Sequence, residues 1–364
     1  MRTVILGGGI AGCALAAALR GSQLGAEVSI LERRTVSKPA GMGFLLLENG
    51  IRGLEQIAPT VAWRRQGQPI ERLRLRASNG ADLDAPRIAP ALCVSRAKFL
   101  ALLRTATGDA TWLEGRSLID FALDETDWLT HVRCDDGSSI QGDAFFACDG
   151  AASRSRSLAF PHAQLGSVVV QEIVSTAYAP ALAQRLGTTF HKFHAAAGGL
   201  AVGLLSESPD TVVWFVQFDS RRHQAPTKDG PSIARFVTER LRGWSSEVLA
   251  AVEATDFDLS HVWETRDLMP LTDIHRGNLA LVGDAAHACL PFTSQGANGA
   301  IEDAAALQRL LANIGTKADL RAALPTYSAL HRHQRRRVFD EGRRLRDAFL
   351  QPLAERAPAI PLVE

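Results

Sequence analysis

The chain has 364 residues and a mass of 39.2 kDa, more than one hydrophobic core normally covers, since single cores stop growing at about 250–300 residues. With 46% hydrophobic and 22% charged residues, it lies near average globular composition and outside the polar, highly charged range of disordered chains. Lys and Arg total 40 against 39 Asp and Glu, a net charge of +1, so no global field draws it to nucleic acid or an anionic membrane, and a small-molecule ligand is the expected partner.

In chain order, Thr3 to Leu6 is a short apolar run that Gly7-Gly8-Gly9 interrupts too early for an export signal, and it reads as a strand. Cys13 to Arg20, rich in helix formers, follows the turn Gly7 to Gly12, and Glu27 to Glu32 reads as a second strand. Together they make a βαβ unit with parallel strands. Ile70 to Asp84 and Val168 to Asp219 have strand-like texture broken by Gly, Pro, Ser and Asp, which predicts an inserted, antiparallel-rich sheet. A helix is expected near Ser232 to Leu241, and a buried strand at Asn278 to Val282 returns the chain to the first unit. A closing helix is expected from Pro325, taken as a first helical position, to about Phe349. No run reaches the roughly 18 apolar residues of a membrane span. The cysteines Cys13, Cys93, Cys134, Cys148 and Cys289 are odd in number and scattered without CxxC spacing. Neither a disulfide framework nor a metal site is expected, and the cytoplasm is the expected location.

The first turn carries the most specific chemistry. In Gly7-x-Gly9-x-x-Gly12, one glycine makes the tight turn, one lets backbone approach a pyrophosphate, and one lets helix and strand pack closely. Ile10 and Ala11 open the helix whose free N–H groups and positive dipole end face the anion. Glu32, at the end of the second strand, is placed to accept the hydroxyls of an adenosine ribose. Its charge disfavours a 2′-phosphate there despite Arg33 and Arg34, which leaves NAD or FAD.

Two later motifs separate these. Phe145 to Arg156 includes Asp149-Gly150 at a strand end, and Gly283-Asp284-Ala285-Ala286-His287 runs through Pro291 to Gln295-Gly296-Ala297-Asn298-Gly299. With the first turn, they make the chain resemble the single-component, FAD-dependent group A flavoprotein monooxygenases of the para-hydroxybenzoate hydroxylase type, over residues 1 to about 340. The resemblance implies an α/β fold: a Rossmann-like FAD domain (1–69, 93–160 and 264–320), an antiparallel substrate domain (70–92 and 161–263) and a C-terminal helical segment (321–364). It further implies that Gly7, Gly9 and Gly12 hold the FAD pyrophosphate, with Glu32 on the ribose and Arg33 beside the adenine. Arg96 would reach the phosphates or ribityl chain, and Asp149 and Gly150 match a motif tied to both FAD and reduced nicotinamide. Asp284 would bind the ribityl hydroxyls, Pro291 would lie near the ring, and Gly296, Ala297 and Asn298 would offer backbone N–H groups to the pyrimidine edge. That last placement also follows from physics, because a helix opens there.

The implied reaction uses NADH or NADPH and molecular oxygen to hydroxylate a small aromatic or heteroaromatic substrate through a C4a-hydroperoxyflavin, in a monomer or homodimer. A reductase or halogenase of the same fold, or a non-catalytic FAD-binding partner protein, stays open as an alternative. The chemistry is borne by the flavin, so no side-chain acid or base is assigned. Pocket candidates are His191 and Phe193, which alternation puts on one strand face, with Trp214, Phe215, Gln217, Met269 and Pro291. His287 is expected to be structural.

Overall fold

A computed structural model describes residues 1–35 and 42–355. Its first sheet has six strands in the order His275–Arg276, Leu279–Leu281, Ala144–Ala147, Arg2–Leu6, Glu27–Glu32 and Thr111–Glu114, parallel throughout except at the 275–276 edge. Ala144–Ala147 and Leu279–Leu281 are wholly buried, as expected of strands covered on both faces. The helix Ile10–Leu19 buries eight of its ten residues, Gly12 to Leu19. Its alanines let it lie flat in the core that also takes in Ala304 and Leu307 of the 17-residue helix Gln295–Leu311. The predicted βαβ unit is therefore present, with Arg2–Leu6 and Glu27–Glu32 in parallel register. A three-stranded antiparallel sheet, Leu118–Leu123, Leu129–Cys134 and Ser139–Gln141, stands beside it.

The second large sheet has nine strands. Its main order is His261–Glu264, Val170–Tyr178, Thr211–Asp219, Leu200–Ser206, Thr189–His194, Gln68–Ala77, Arg87–Val94 and Phe44–Leu46, with Asp82–Asp84 paired on Gln68–Ala77. Its pairs are antiparallel except one, because Thr189–His194 runs parallel to Gln68–Ala77. The boundaries expected at 70 and 92 fall inside the strands Gln68–Ala77 and Arg87–Val94, and Phe44–Leu46 from the preceding segment joins this sheet as well.

The two faces of this sheet do different work. One carries Ile173, Phe193, Val202, Trp214 and Val216 into a core closed by residues of the helices Pro180–Leu186, Gly230–Arg240 and Ser246–Glu253. The other carries Phe190, Val213 and Phe215, and Ala201 on this face packs with Leu290 and Phe292 from the segment after Asp284. That second face meets the first unit.

The closing helix differs from expectation. Two helices, Lys317–Leu330 and Arg332–Leu350, take its place, and Pro325 sits inside the first of them. The start is set instead by Thr316, whose hydroxyl and the Asp319 carboxylate form a reciprocal capping box. Pro325 is exposed, on the side where helical carbonyls already tilt toward water, while Leu320, Leu324 and Tyr327 anchor the opposite side.

Candidate functional site

The glycine turn is built by close backbone approach. Gly7 has φ +112, and a side chain on it would collide with the Cys148 carbonyl; one on Gly12 would collide with the Gly7 carbonyl. Gly8 has no room because the Trp112 ring lies against it, held by the Arg104 guanidinium stacked 3.6 Å above the ring. At Gly9 the position of a missing side chain meets nothing within 4 Å. Open space at the mouth of a helix N-terminus is what a pyrophosphate needs. Glu32 is fixed at the strand end, where its carboxylate accepts hydrogen bonds from the N–H groups of Gly8 (2.8 Å) and Arg34 (2.9 Å).

The two later motifs close on the same groove. Asp149 accepts from the Ser153 hydroxyl (2.5 Å) and from both the N–H and hydroxyl of Ser155 (2.9 Å each), which orders the turn at Gly150, φ +80. Arg156, almost wholly buried, donates to the carbonyls of Ala285 (3.1 Å), Asp284 (3.3 Å) and Ala151, so it clamps the Asp149 turn to the Asp284 turn. Gly283 packs against Ala11 and Ala300, which brings the N-termini of the helices Ile10–Leu19 and Gln295–Leu311 to one cleft. Burial pushes the Asp284 carboxyl up, and the charges of His287, Arg96 and Arg156 act against that; no hydrogen bond from the described residues reaches it. It is an acceptor awaiting a donor, with Gly296 leaving the space beside it open. Burial, then the charge of Arg34, pull the Arg96 guanidinium below its ordinary range while Asp284 acts the other way. Arg33 and Arg34 are both exposed just past the strand Glu27–Glu32, with the Arg34 N–H donating to Glu32.

His287 donates to or accepts from Asp303 at 2.7 Å, and Asp303 also accepts the Gly283 N–H at 2.8 Å. Burial opposes the imidazolium, but the Asp303 charge and hydrogen bond outweigh it and raise the His287 pKa. The pair thus pins the Asp284 turn to the helix behind it. Asn298 is committed in the same way. Its side chain accepts from the Leu47 N–H (2.9 Å) and donates to the carbonyls of Leu45 (3.0 Å) and Ser294 (2.7 Å), so only its backbone is left for a ligand. Ser294, with φ +55, turns the chain from the Pro291–Thr293 turn into the helix, whose first N–H groups lack intrahelical acceptors. Free donors at Gly296 and Ala297, an undonated carboxylate at Asp284, and the Gly9 opening together fit an extended dinucleotide with a hydrogen-bonding ring at one end.

On the substrate sheet, the structure separates the sequence candidates. Phe215 and Gln217 lie on the face toward the Phe292 turn, and the Phe215 ring rests in the gap left by Gly203. Pro291 opens that turn. His191 and Phe193 do share a face, their rings 6.3 Å apart, but it is the helix-covered one, beside Arg76 and with Trp214 in the same core. Burial first, then the charges of Arg76 and Arg74, lower the His191 pKa to about 4, so it is a neutral packing residue on the far side of the sheet from the Phe292 turn. Met269 is 52% exposed. In their place the inward face presents residues that sequence reasoning missed: Lys192, 5.4 Å from the Phe292 ring centroid and 6.0 Å from that of Phe215, and Glu172, which accepts from the Gln217 amide at 2.5 Å. Their signal was available as charged residues inside otherwise apolar strands. Arg156 ends a segment the motifs already marked, but its role as a clamp between the two turns was not read from the sequence.

This cleft, two helix N-termini and an acceptor carboxylate facing a mixed sheet, defines a flavin-binding α/β protein. A family model described as FAD binding domain matches residues 1–341, and the chain belongs to that family, the FAD-dependent group A flavoprotein monooxygenases. Relatives include the 3-amino-4-hydroxybenzoate 2-monooxygenase PtmB3 of Streptomyces platensis, 29% identical over 98% of this chain and 93% of that one. An FAD-dependent urate hydroxylase of Mycolicibacterium vanbaalenii is 26% identical over 90% and 84%. Among solved structures, Klebsiella pneumoniae HpxO with FAD and uric acid superposes with a TM-score of 0.86 at 23% identity, covering 98% of this chain and 90% of that one.

Proposed function

We propose that this chain is a monooxygenase that spends NADH or NADPH and O2, through bound FAD, to hydroxylate a small aromatic or heteroaromatic substrate. The observation that carries the reading is the juxtaposition of the undonated Asp284 carboxylate and the open helix N-terminus at Gly296 with the Phe215 and Lys192 face of the substrate sheet. Bound FAD would supply the electron transfer and oxygen activation, and the side chains would bind, orient and exclude water.

In this reading Gly7, Gly9 and Gly12 admit the pyrophosphate to the helix N-terminus, Glu32 takes the ribose hydroxyls, and Arg96 balances phosphate charge. Asp284 accepts the ribityl hydroxyls, and its raised pKa suits a carboxyl held in a poorly hydrated groove. The N–H groups of Gly296, Ala297 and Asn298 meet negative charge that develops at the pyrimidine edge, where a fixed dipole costs no reorganisation. Asp149 acts through its turn, because its oxygens are occupied by Ser153 and Ser155. Phe292 and Phe215 keep water from the reacting ring.

The reading is tested on purified protein by flavin absorbance, then by NADH and NADPH consumption with a panel of phenols, aminobenzoates and N-heteroaromatics. Consumption accelerated by a compound that gains one oxygen atom supports it. A flavin-loaded protein that no compound stimulates points to the reductase, halogenase or partner alternatives.

A further inference from the structure

A cleft that the flavin reading does not use lies on the flank of the helix Gln295–Leu311, behind the Asp284 turn. Gly299, Glu302 and Asp303 form one wall, and His331, Gln334 and Arg335, at the start of the helix Arg332–Leu350, form the other. Each set has the i, i+3, i+4 spacing of a single helix face, and the groove residues Asp284, Gly296 and Ala297 are not among the walls. Gly299 keeps the gap open, since a side chain there would meet the His287 ring at 3.2 Å. The cavity volume is about 30 Å³, room for about two or three water-sized atoms.

In this cleft the acids are satisfied and the bases are not. Asp303 holds His287 and the Gly283 N–H, and Glu302 accepts from the Gln334 amide at 3.0 Å. Arg335 is only 7% exposed and donates from Nη2 to the Ser328 carbonyl at 2.5 Å, while its Nη1 is buried with no hydrogen-bond partner. His331 Nδ1 meets Gln334 Oε1 at 3.1 Å, and its Nε2 is likewise buried and unpartnered. A guanidinium taken out of water needs an opposite charge and filled donors. The helix start points the same way. Residues Arg332 to Arg337 include four arginines and no acid, and no side chain caps the helix, although the positive end of its dipole favours negative charge.

We propose that this cleft is a binding site for a small monovalent oxyanion, with one oxygen accepting from Arg335 Nη1 and another meeting His331 Nε2. A water molecule would fill the space but leave the guanidinium charge unbalanced. His331 Nε2 donates to a bare oxyanion such as formate when the ring is charged, and it accepts the O–H of a hydrogen-bearing one such as bicarbonate. The small volume favours a free anion over the head group of a bulkier acid. The site stands on its own geometry and does not rest on the hydroxylase reading.

The test is titration of 13C-formate with FAD-loaded protein, read as saturable NMR line broadening at constant ionic strength. Pivalate, the same carboxylate on a bulky group, is the size control. Formate should bind saturably, nitrate and bicarbonate should displace it, and pivalate should not. Arg335→Gln should weaken formate by about ten-fold or more, as loss of a charged donor from a buried site requires. His331→Phe, which leaves Arg335 in place, should weaken it by a smaller factor, and retained FAD shows that each variant is folded. No saturable binding to the unmodified protein, displacement by pivalate as good as by nitrate, or an affinity that either folded variant leaves unchanged overturns the proposal. The first two outcomes need no variant.

Discussion

The two halves of this cleft are encoded in different ways. The cofactor side is specified by backbone: Gly7, Gly12 and Gly283 stand where no other side chain fits, and helix N-termini provide the donors. The facing sheet is lined by side chains on alternate positions of ordinary strands, such as Lys192, Phe215 and Gln217. The first kind of site tolerates almost no change. The second can be rewritten without disturbing the fold, so its chemistry belongs to the individual chain.

The largest effect should come from breaking the backbone side. Gly12→Val forces a branched side chain into the Gly7 carbonyl, and it should abolish retention of flavin absorbance after gel filtration and cost at least about 3 kcal/mol of stability. Asn298→Ala comes next. It strips partners from the Leu47 N–H and the Leu45 and Ser294 carbonyls, and chemical denaturation should read a loss of about 2–4 kcal/mol, since each buried group left unpaired costs about 1 kcal/mol or more.

Smaller changes sharpen the comparison on the substrate side. Burial opposes ionisation of Glu247, but its 2.8 Å bond to Arg76 outweighs this and holds the pKa at about 2 against an ordinary 4.5. A folded-state value below the unfolded one contributes stability that is complete above about pH 4.5 and disappears as the pH falls toward 2. Glu247→Gln should therefore flatten the acid limb of a Tm-against-pH curve in that window, with a loss near neutrality of about 1–2 kcal/mol. The smallest effect on the fold belongs to Gln217→Leu, which removes an orphaned buried oxygen and, against that gain, the 2.5 Å donor to the buried Glu172 carboxyl, for a net loss of about 1 kcal/mol. Its Tm should stay within a few degrees of the parent and its FAD content should be unchanged; a collapse in either would mean that the substrate face supports the fold as the cofactor side does.

The same contrast explains what the sequence disclosed. Gly7-x-Gly9-x-x-Gly12, Glu32, Asp149-Gly150 and Gly283-Asp284 were legible because a steric or dipolar demand fixes the residue type and its spacing. The substrate face was not, because a strand shifted by one residue turns every side chain over. His191 and Phe193 were placed on the correct strand with the correct mutual alternation, yet Lys192 between them is the residue that points inward. By the same alternation Phe215 and Gln217 share the face toward the Phe292 turn, and their neighbour Trp214 lies in the opposite core, its indole N–H bonded to Thr255 at 2.9 Å. The clamping role of Arg156 was not legible because two of its three carbonyl partners, at Asp284 and Ala285, come from a turn distant in sequence. Pro325 misled for a local reason: the capping box at Thr316 outweighed one exposed proline.

The most direct test of the account is single-turnover oxygen labelling. FAD-loaded protein, reduced with NADH or NADPH beside a bound compound that stimulates nicotinamide oxidation and mixed with 18O2, should yield product carrying one labelled oxygen atom for each nicotinamide oxidised. A product without the label, formed at the expense of the same nicotinamide, would contradict the central claim.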